Sequence, residues 1–371
     1  MPKFSSEDEV VQEKDEKKEK AIVPPIQISE KYYKTILPFE PSKARGMVVN
    51  NLNSRYDIKE FETGLMRIAQ KEFSPDKYLF QEGQHLDKKT VKAWLKRKYT
   101  KGQMKKHKLD DSKNLGLNPP IAGDGYSEEQ NEKNPIYLAH ILEHNYLVKD
   151  KDEEVKLGGV VIGLAMNSVH YYQKEEYGAT HEAKIPPKEM EEKGREIAQE
   201  VLERLRKKDE LKNVPIMFGI FEQATRDSVV PGNFIAYTSV GSRGNKITDW
   251  KTVKEKYYLF PSSEAEEDHR DHVTAFLNFK HDVEDYFPNF SGVIGRAFYQ
   301  EDQLVELNID IPIQFYGTGE VVGFTQYVTG LILRHFADHI NIRVNVTSFN
   351  EPSAVIVKNP SDKEPFVHIY D

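Results

Sequence analysis

The 371-residue chain contains no cysteine, so disulfides, thiolate nucleophiles and Cys-ligated zinc are all excluded. It also lacks any run of about 18 or more apolar residues, and nothing in it reads as a membrane-crossing helix. No apolar leader follows Met1, which leaves two readings, a cytosolic chain or one trimmed at its start. Positive charge is the minority sign: 52 Lys and Arg face 60 Asp and Glu, for a net charge of −8. Nucleic-acid binding needs a basic face, so no nucleic-acid partner is expected. What the chain does have is aromatic bulk. Its 19 Tyr and 19 Phe supply large apolar area per residue, enough to close more than one core.

Residues 1–26 are rich in both charge signs and end near Pro24-Pro25. A segment this poor in bulky apolar residues is expected to be a disordered tether. From Tyr32 the chain turns aromatic. Phe61, Leu65, Ile68 and Ala69 recur at helical spacing and predict a helix over 57–73, and Val91, Trp94 and Leu95 predict another near 90–99. Residues 101–133 read as a polar surface excursion, followed by a short helix from Pro135 to about Leu147. Val160 to Met166 reads as a strand. Pro186-Pro187 opens a helix to about Lys208, with Met190, Ile197, Val201 and Leu205 on one face. Val214 to Phe221 and Phe234 to Tyr237 follow as strands.

The same order returns later. Alternating Leu307, Ile309, Ile311, Ile313 and Phe315 predict a strand, Glu320 to Phe336 a helix, Ile340 to Val346 a strand and Ala354 to Val357 another. The helix ending at Phe287-Pro288 looks like a mirror of the one ending at Phe73-Ser74-Pro75. The fold class expected is α+β: two related repeats, each a mixed or antiparallel sheet packed with helices. The boundaries are 27–261 and 262–371, the first repeat carries a long insertion at about 76–155, and the acidic stretch Ser262 to Asp271 serves as linker.

Long strings of the chain resemble one known family. PFEPSKARGMVVNNLNSRYDIKEFETGL, NPIYLAHILE, VVPGNFIAYTSV, VEDYFPNFSGVIG and IPIQFYGTGEVVGFTQYVTGL are similar to the CamS family of Gram-positive surface lipoproteins, the sex pheromone precursor type. The resemblance spans about Gln27 to Tyr370. It implies a body of two related repeats behind a signal peptide and a lipid-bearing cysteine, neither of which is among these residues. In some members the processed signal peptide is the source of a peptide pheromone. The expected location is therefore extracytoplasmic, on the outer face of the cell membrane, with the membrane itself as partner through the anchor. A diacylated anchor supplies two chains, enough for stable attachment.

No catalytic residue, cofactor or metal is assigned, and a non-enzymatic body is the expectation. The sharpest rival is His140-Ile141-Leu142-Glu143-His144, an H-x-x-E-H pattern that on a helix could hold zinc beside a general base and make the chain a hydrolase. The plainer reading is the polar face of a short helix. His335 and His339 read as capping or packing, and His269 and His272 sit in the expected linker without a fixed partner. Gly317-Thr318-Gly319 reads as a tight strand-to-helix turn. One binding hypothesis stands: Tyr171, Tyr172, Phe315 and Tyr316 lie just past the first strand of each repeat, and could line a groove for a peptide or cell-surface glycan. The alternative for all four is packing beneath the helices.

Overall fold

The computed structural model describes residues 9–14, 17–26, 28–29, 31–123, 125–151, 154–286, 292–360 and 362–370. They form two compact units divided between Val253 and Lys254. In the first, chain order is β1 (Glu9–Lys14), β2 (Lys17–Ile22), α1 (Val48–Asn51), α2 (Arg55–Ala69), β3 (Tyr78–Glu82), α3 (Lys88–Trp94), α4 (Lys101–His107) and α5 (Glu128–Lys133). Then come β4 (Leu138–Lys149), β5 (Glu154–Asn167), β6 (Val169–Gln173), β7 (Thr180–Lys184), α6 (Pro187–Leu205), β8 (Ile216–Gln223), β9 (Asn233–Val240) and β10 (Lys251–Thr252). The second unit holds β11 (Glu255–Phe260), α7 (Ser263–Tyr286), β12 (Ile294–Gln300), β13 (Gln303–Pro312), α8 (Thr318–His335), β14 (Asn341–Ser348), β15 (Glu351–Lys358) and β16 (Phe366–Ile369).

Strand burial explains how each unit is layered. Gly159 to Met166 of β5 and Ile216 to Phe221 of β8 are buried without interruption. A strand reads that way when both sheet faces are covered. Here Phe61, Leu65 and Ile68 of α2 pack on one face with Val161, Met217 and Phe221. On the other face Met190, Ile197 and Val201 of α6, with Val91 and Trp94 of α3, meet Val160, Ile162, Phe218 and Ile220. Phe61, Phe221 and Phe234 lie within 5.9 Å of one another, ring to ring. In the second unit β13 and β14 alternate instead, because α7 and α8 share one core on a single face.

The sheets run in the same order. β3-β4-β5-β8-β9-β10 and β11-β12-β13-β14-β15-β16 are antiparallel throughout except for one pair each, β5–β8 and β13–β14. The helices α6 and α8 make the crossovers that a parallel pair requires. By this order α7 stands where α3 stands, between the first and second strands. The expected match of α7 with the helix ending at Phe73 is therefore corrected: α2 is an added cover on the first unit's second face. Phe287-Pro288, used for that match, lies outside the described residues.

Three further expectations change. Residues 9–14 and 17–22 of the expected tether form an antiparallel hairpin whose first strand runs parallel to β5 at Val11 and Gln12. Val10 and Ala21 are buried beside Ile36, Leu147 and Val155, so a few small apolar side chains and backbone pairing suffice to hold a charged sequence. The segment after Pro135 is not a helix but β4, paired with β3 and β5. The stretch Ser262 to Asp271 is not a linker, since α7 starts at Ser263 and breaks its helical geometry only at His269. The polar excursion is likewise stitched down, with Leu117 and Ile121 buried. Asn118 there donates to the Leu95 and Leu138 carbonyls and accepts from the Leu138 N–H.

Candidate ligand cleft

Where β4 starts, β5 ends and α1 closes over them, the first unit has two adjoining open hollows of about 280 and about 330 Å³ that share Asn51 and Leu95. The first is lined by Asn51, Asn53, Asn167, His170, Tyr171 and Arg226, with Ile136, Leu138 and Val169 as its apolar wall. Met47, Lys92 and Lys96 line the second. Five separate segments thus converge on one concavity.

Hydrogen bonds fix the polar side chains in place. The Asn51 amide donates to His140 Nδ1 at 3.0 Å, which makes that nitrogen the acceptor and the ring neutral. Asn53 donates through its backbone N–H to Gln223 Oε1 at 3.0 Å and through its amide to the Ala224 carbonyl at 2.7 Å. Asn167 donates to the Ile136 carbonyl at 2.7 Å and accepts from the Gln223 amide. The loop after β8 is tied to the start of α2 by Asp57. Its carboxylate accepts from the Gly232 N–H at 2.8 Å, the Ala224 N–H at 3.2 Å and the Ser54 hydroxyl at 3.0 Å. Burial raises the Asp57 pKa, opposed in part by these bonds.

Arg226 rides on that loop. Its guanidinium lies 3.9 Å from the Tyr171 ring centroid, and the Arg226 backbone N–H donates to the Tyr171 hydroxyl at 3.1 Å. Tyr171 is thereby held in place and one of its faces is covered. His170 Nε2 lies 3.0 Å from Asn131 Oδ1, and burial, with Arg97 nearby, lowers the ring's pKa to about 4. The loop depends on Gly232, where a Cβ would sit 1.9 Å from the Glu222 carbonyl oxygen, a backbone atom that cannot rotate aside. Gly232→Ala is expected to lower unfolding free energy by about 3 kcal/mol in urea denaturation, and an unchanged midpoint would refute this packing.

The zinc pattern comes apart because its segment is a strand. Four strand residues put His140 and His144 about 13 Å apart, whereas two ligands of one zinc each need to reach it at about 2 Å. The two rings pack instead toward Phe61 and Phe80. Glu143 points the other way and accepts from the N–H groups of Gln84, His85 and Leu86 at 2.6–3.1 Å. Among the described residues, no three His, Asp or Glu are grouped to hold a metal ion.

Of the aromatic quartet, Tyr171 lines the cleft. Tyr172 is buried between His170 and His181, with ring centroids 5.8 and 5.7 Å away. Phe315 belongs to the second unit's core against Phe324, at 5.5 Å, and Tyr316 beside it is 86% exposed. His335, read as capping or packing, packs beside Phe279 and pairs with Asp282 across α7 and α8 at 2.7 Å. His269 and His272 do have fixed partners: His269 stacks on Tyr299 at 3.7 Å and His272 Nδ1 meets the Tyr299 hydroxyl at 2.8 Å. Gly317 begins α8 as a tight turn, its carbonyl accepting from the Glu320 N–H at 3.1 Å. Asn51, Asn53, Asn167 and Arg226 were invisible in sequence, since no motif links four such distant positions.

Comparison with known proteins agrees over most of the chain. The family model described as CamS sex pheromone cAM373 precursor matches residues 39–364. The solved structure of the C-terminal domain of the sex pheromone staph-cAM373 precursor from Staphylococcus aureus is 37% identical, with 86% of this chain and 98% of that one covered and a TM-score of 0.75. A sex pheromone precursor structure from Lactobacillus salivarius subsp. salivarius UCC118 is 32% identical, with 95% and 99% covered and a TM-score of 0.84. No curated protein matches. Among the described residues no helix is long and apolar enough to cross a membrane.

Proposed function

Because the chain belongs to the CamS sex pheromone cAM373 precursor family, we propose that it is the folded body of a surface lipoprotein and acts as a binding module through the Asn51–Arg226 cleft. The observation that carries the reading is the convergence of three asparagines, Tyr171 and Arg226 on one concavity, each locked by hydrogen bonds or stacking before any ligand arrives. Preorganised polar groups on an apolar wall cost little ordering entropy on binding.

The role is non-enzymatic. It is supported by Glu143, whose oxygens are committed to three backbone N–H groups, and by the separation of the two β4 histidines. The anchor is an N-terminal lipid on the outer face of a Gram-positive cell membrane, and the signal segment of the precursor is the source of any pheromone peptide. The common strand order of the two units supports their descent from one duplicated unit. Mass spectrometry of the native protein extracted from membranes should find a diacylated N-terminal cysteine; an unmodified N-terminus would contradict the anchoring.

The test of the cleft is a thermal-shift screen of this chain against N-acetylated tripeptides and wall disaccharides at millimolar concentration. A ligand near 100-fold above its Kd should stabilise by about 2.7 kcal/mol and raise Tm by several degrees. Tyr171→Ala should abolish the shift. A panel that leaves Tm unchanged, or a shift that survives the substitution, would contradict a binding role for this cleft.

A further inference from the structure

Sixty of the 371 residues are Asp or Glu, yet among the described residues neither hollow is lined by a single carboxylate. Two acidic groups on the neighbouring chain are already engaged. Asp57 is buried against the Ala224 and Gly232 N–H groups, and Asp227, next to Arg226, is exposed and hydrogen-bonded to Thr225. Arg226 pairs with no carboxylate among the described residues and rests on Tyr171 instead. His170 is neutral, so the first hollow carries one positive charge, and Lys92 and Lys96 add two more in the second.

We infer that the cleft recognises a carboxylate, the free end of a short peptide, with Arg226 as its charge partner. This rests on the binding role proposed above and adds the ligand class. A guanidinium stacked on an aromatic ring keeps its N–H edge free and fixed in one plane, which suits the planar, bidentate geometry of a carboxylate. The amide-rich floor suits peptide groups, since Asn51 and Asn53 keep carbonyl oxygens that accept from a ligand N–H. A sugar ring is less well served, because the Tyr171 face under Arg226 is not open for stacking.

Matched pairs of N-acetylated tripeptides, one with a free C-terminal carboxylate and one with a carboxamide, provide the test by isothermal titration in low salt. Charge-assisted hydrogen bonds predict that each acid that binds does so about 10- to 100-fold more tightly than its amide, with affinity falling as salt is added and flat between pH 6 and 9. Arg226→Gln, at an exposed position, should keep the melting temperature and reduce the acid-to-amide ratio to below about threefold. Acid and amide binding equally, with both lost in Tyr171→Ala, would overturn the carboxylate reading while leaving the binding role intact. No tripeptide of either kind binding would overturn the carboxylate reading, and the binding role with it if no wall disaccharide shifts Tm either. Inorganic phosphate binding more tightly than every acid would overturn the carboxylate reading in favour of a phosphate site.

Discussion

Replacing Glu143 by alanine should lower the unfolding free energy by about 3–5 kcal/mol. The side chain is 5% exposed and accepts from three consecutive backbone N–H groups, with Leu86 N at 2.6 Å and Gln84 N and His85 N at 3.0 Å. Each buried N–H left without an acceptor costs about 1–3 kcal/mol. The 83–86 loop cannot retreat to water without losing Leu86, 1% exposed in the core under α6. The fit is close on the other side too, since a Cβ at Gly83 would lie 2.7 Å from Glu143. Glu143→Gln keeps one acceptor oxygen and should cost roughly half as much. Urea denaturation of both variants checks this. A loss below about 1 kcal/mol for the alanine variant would mean that the loop is held by something else.

Acid should destabilise the first unit through its buried histidines. Burial lowers His140 and His170 to about 4 and His144 to about 3. In the unfolded chain the same rings take a proton near pH 6.5. Between these values the unfolded state holds more protons, so stability falls as pH falls from about 6.5 and levels off below the folded pKa values. Each ring accounts for roughly 3 kcal/mol by pH 4. Asp57 works in the opposite sense: its raised pKa lets the folded form take a proton first, which relieves its burial in acid and offsets part of the loss. His269 and His272, also lowered by burial, add to the limb from the second unit. The difference between wild type and His144→Leu isolates one ring. His144 Nδ1 is buried with no hydrogen-bond partner, so leucine forfeits no bond there. The variant's urea midpoint should be flatter between pH 6.5 and 4, and parallel profiles would show that His144 is not held neutral.

How much of this could be read in the sequence depended on how each face is covered. The crossover helices α6 and α8 and the strands β13 and β14 showed their apolar periodicity plainly, because each presents one face to a core. β4 hid itself. Both its faces are buried, its burial spreads over His140, Glu143, His144 and Asn145, and the preceding Pro135 resembles a helix start. The N-terminal hairpin was concealed by its charge, since backbone pairing to β5 leaves no side-chain signature. The counterpart of α7 was misjudged because α2 is the longer and more amphipathic helix, while the true positional match, α3, has seven residues. At the cleft only Tyr171 drew notice. Arg226 and the asparagines acquire meaning when the sheet brings residues 51, 167 and 226 together, and their chemistry lies in what they touch rather than in spacing.

The most direct measurement is a crystal structure of this chain soaked with the tightest-binding N-acetyl tripeptide acid. Ligand density is expected in the first hollow, with its carboxylate within hydrogen-bond distance of the Arg226 guanidinium and a peptide N–H directed at Asn51 or Asn53. Density for the peptide at any other place on the chain, with the hollow empty, would contradict it.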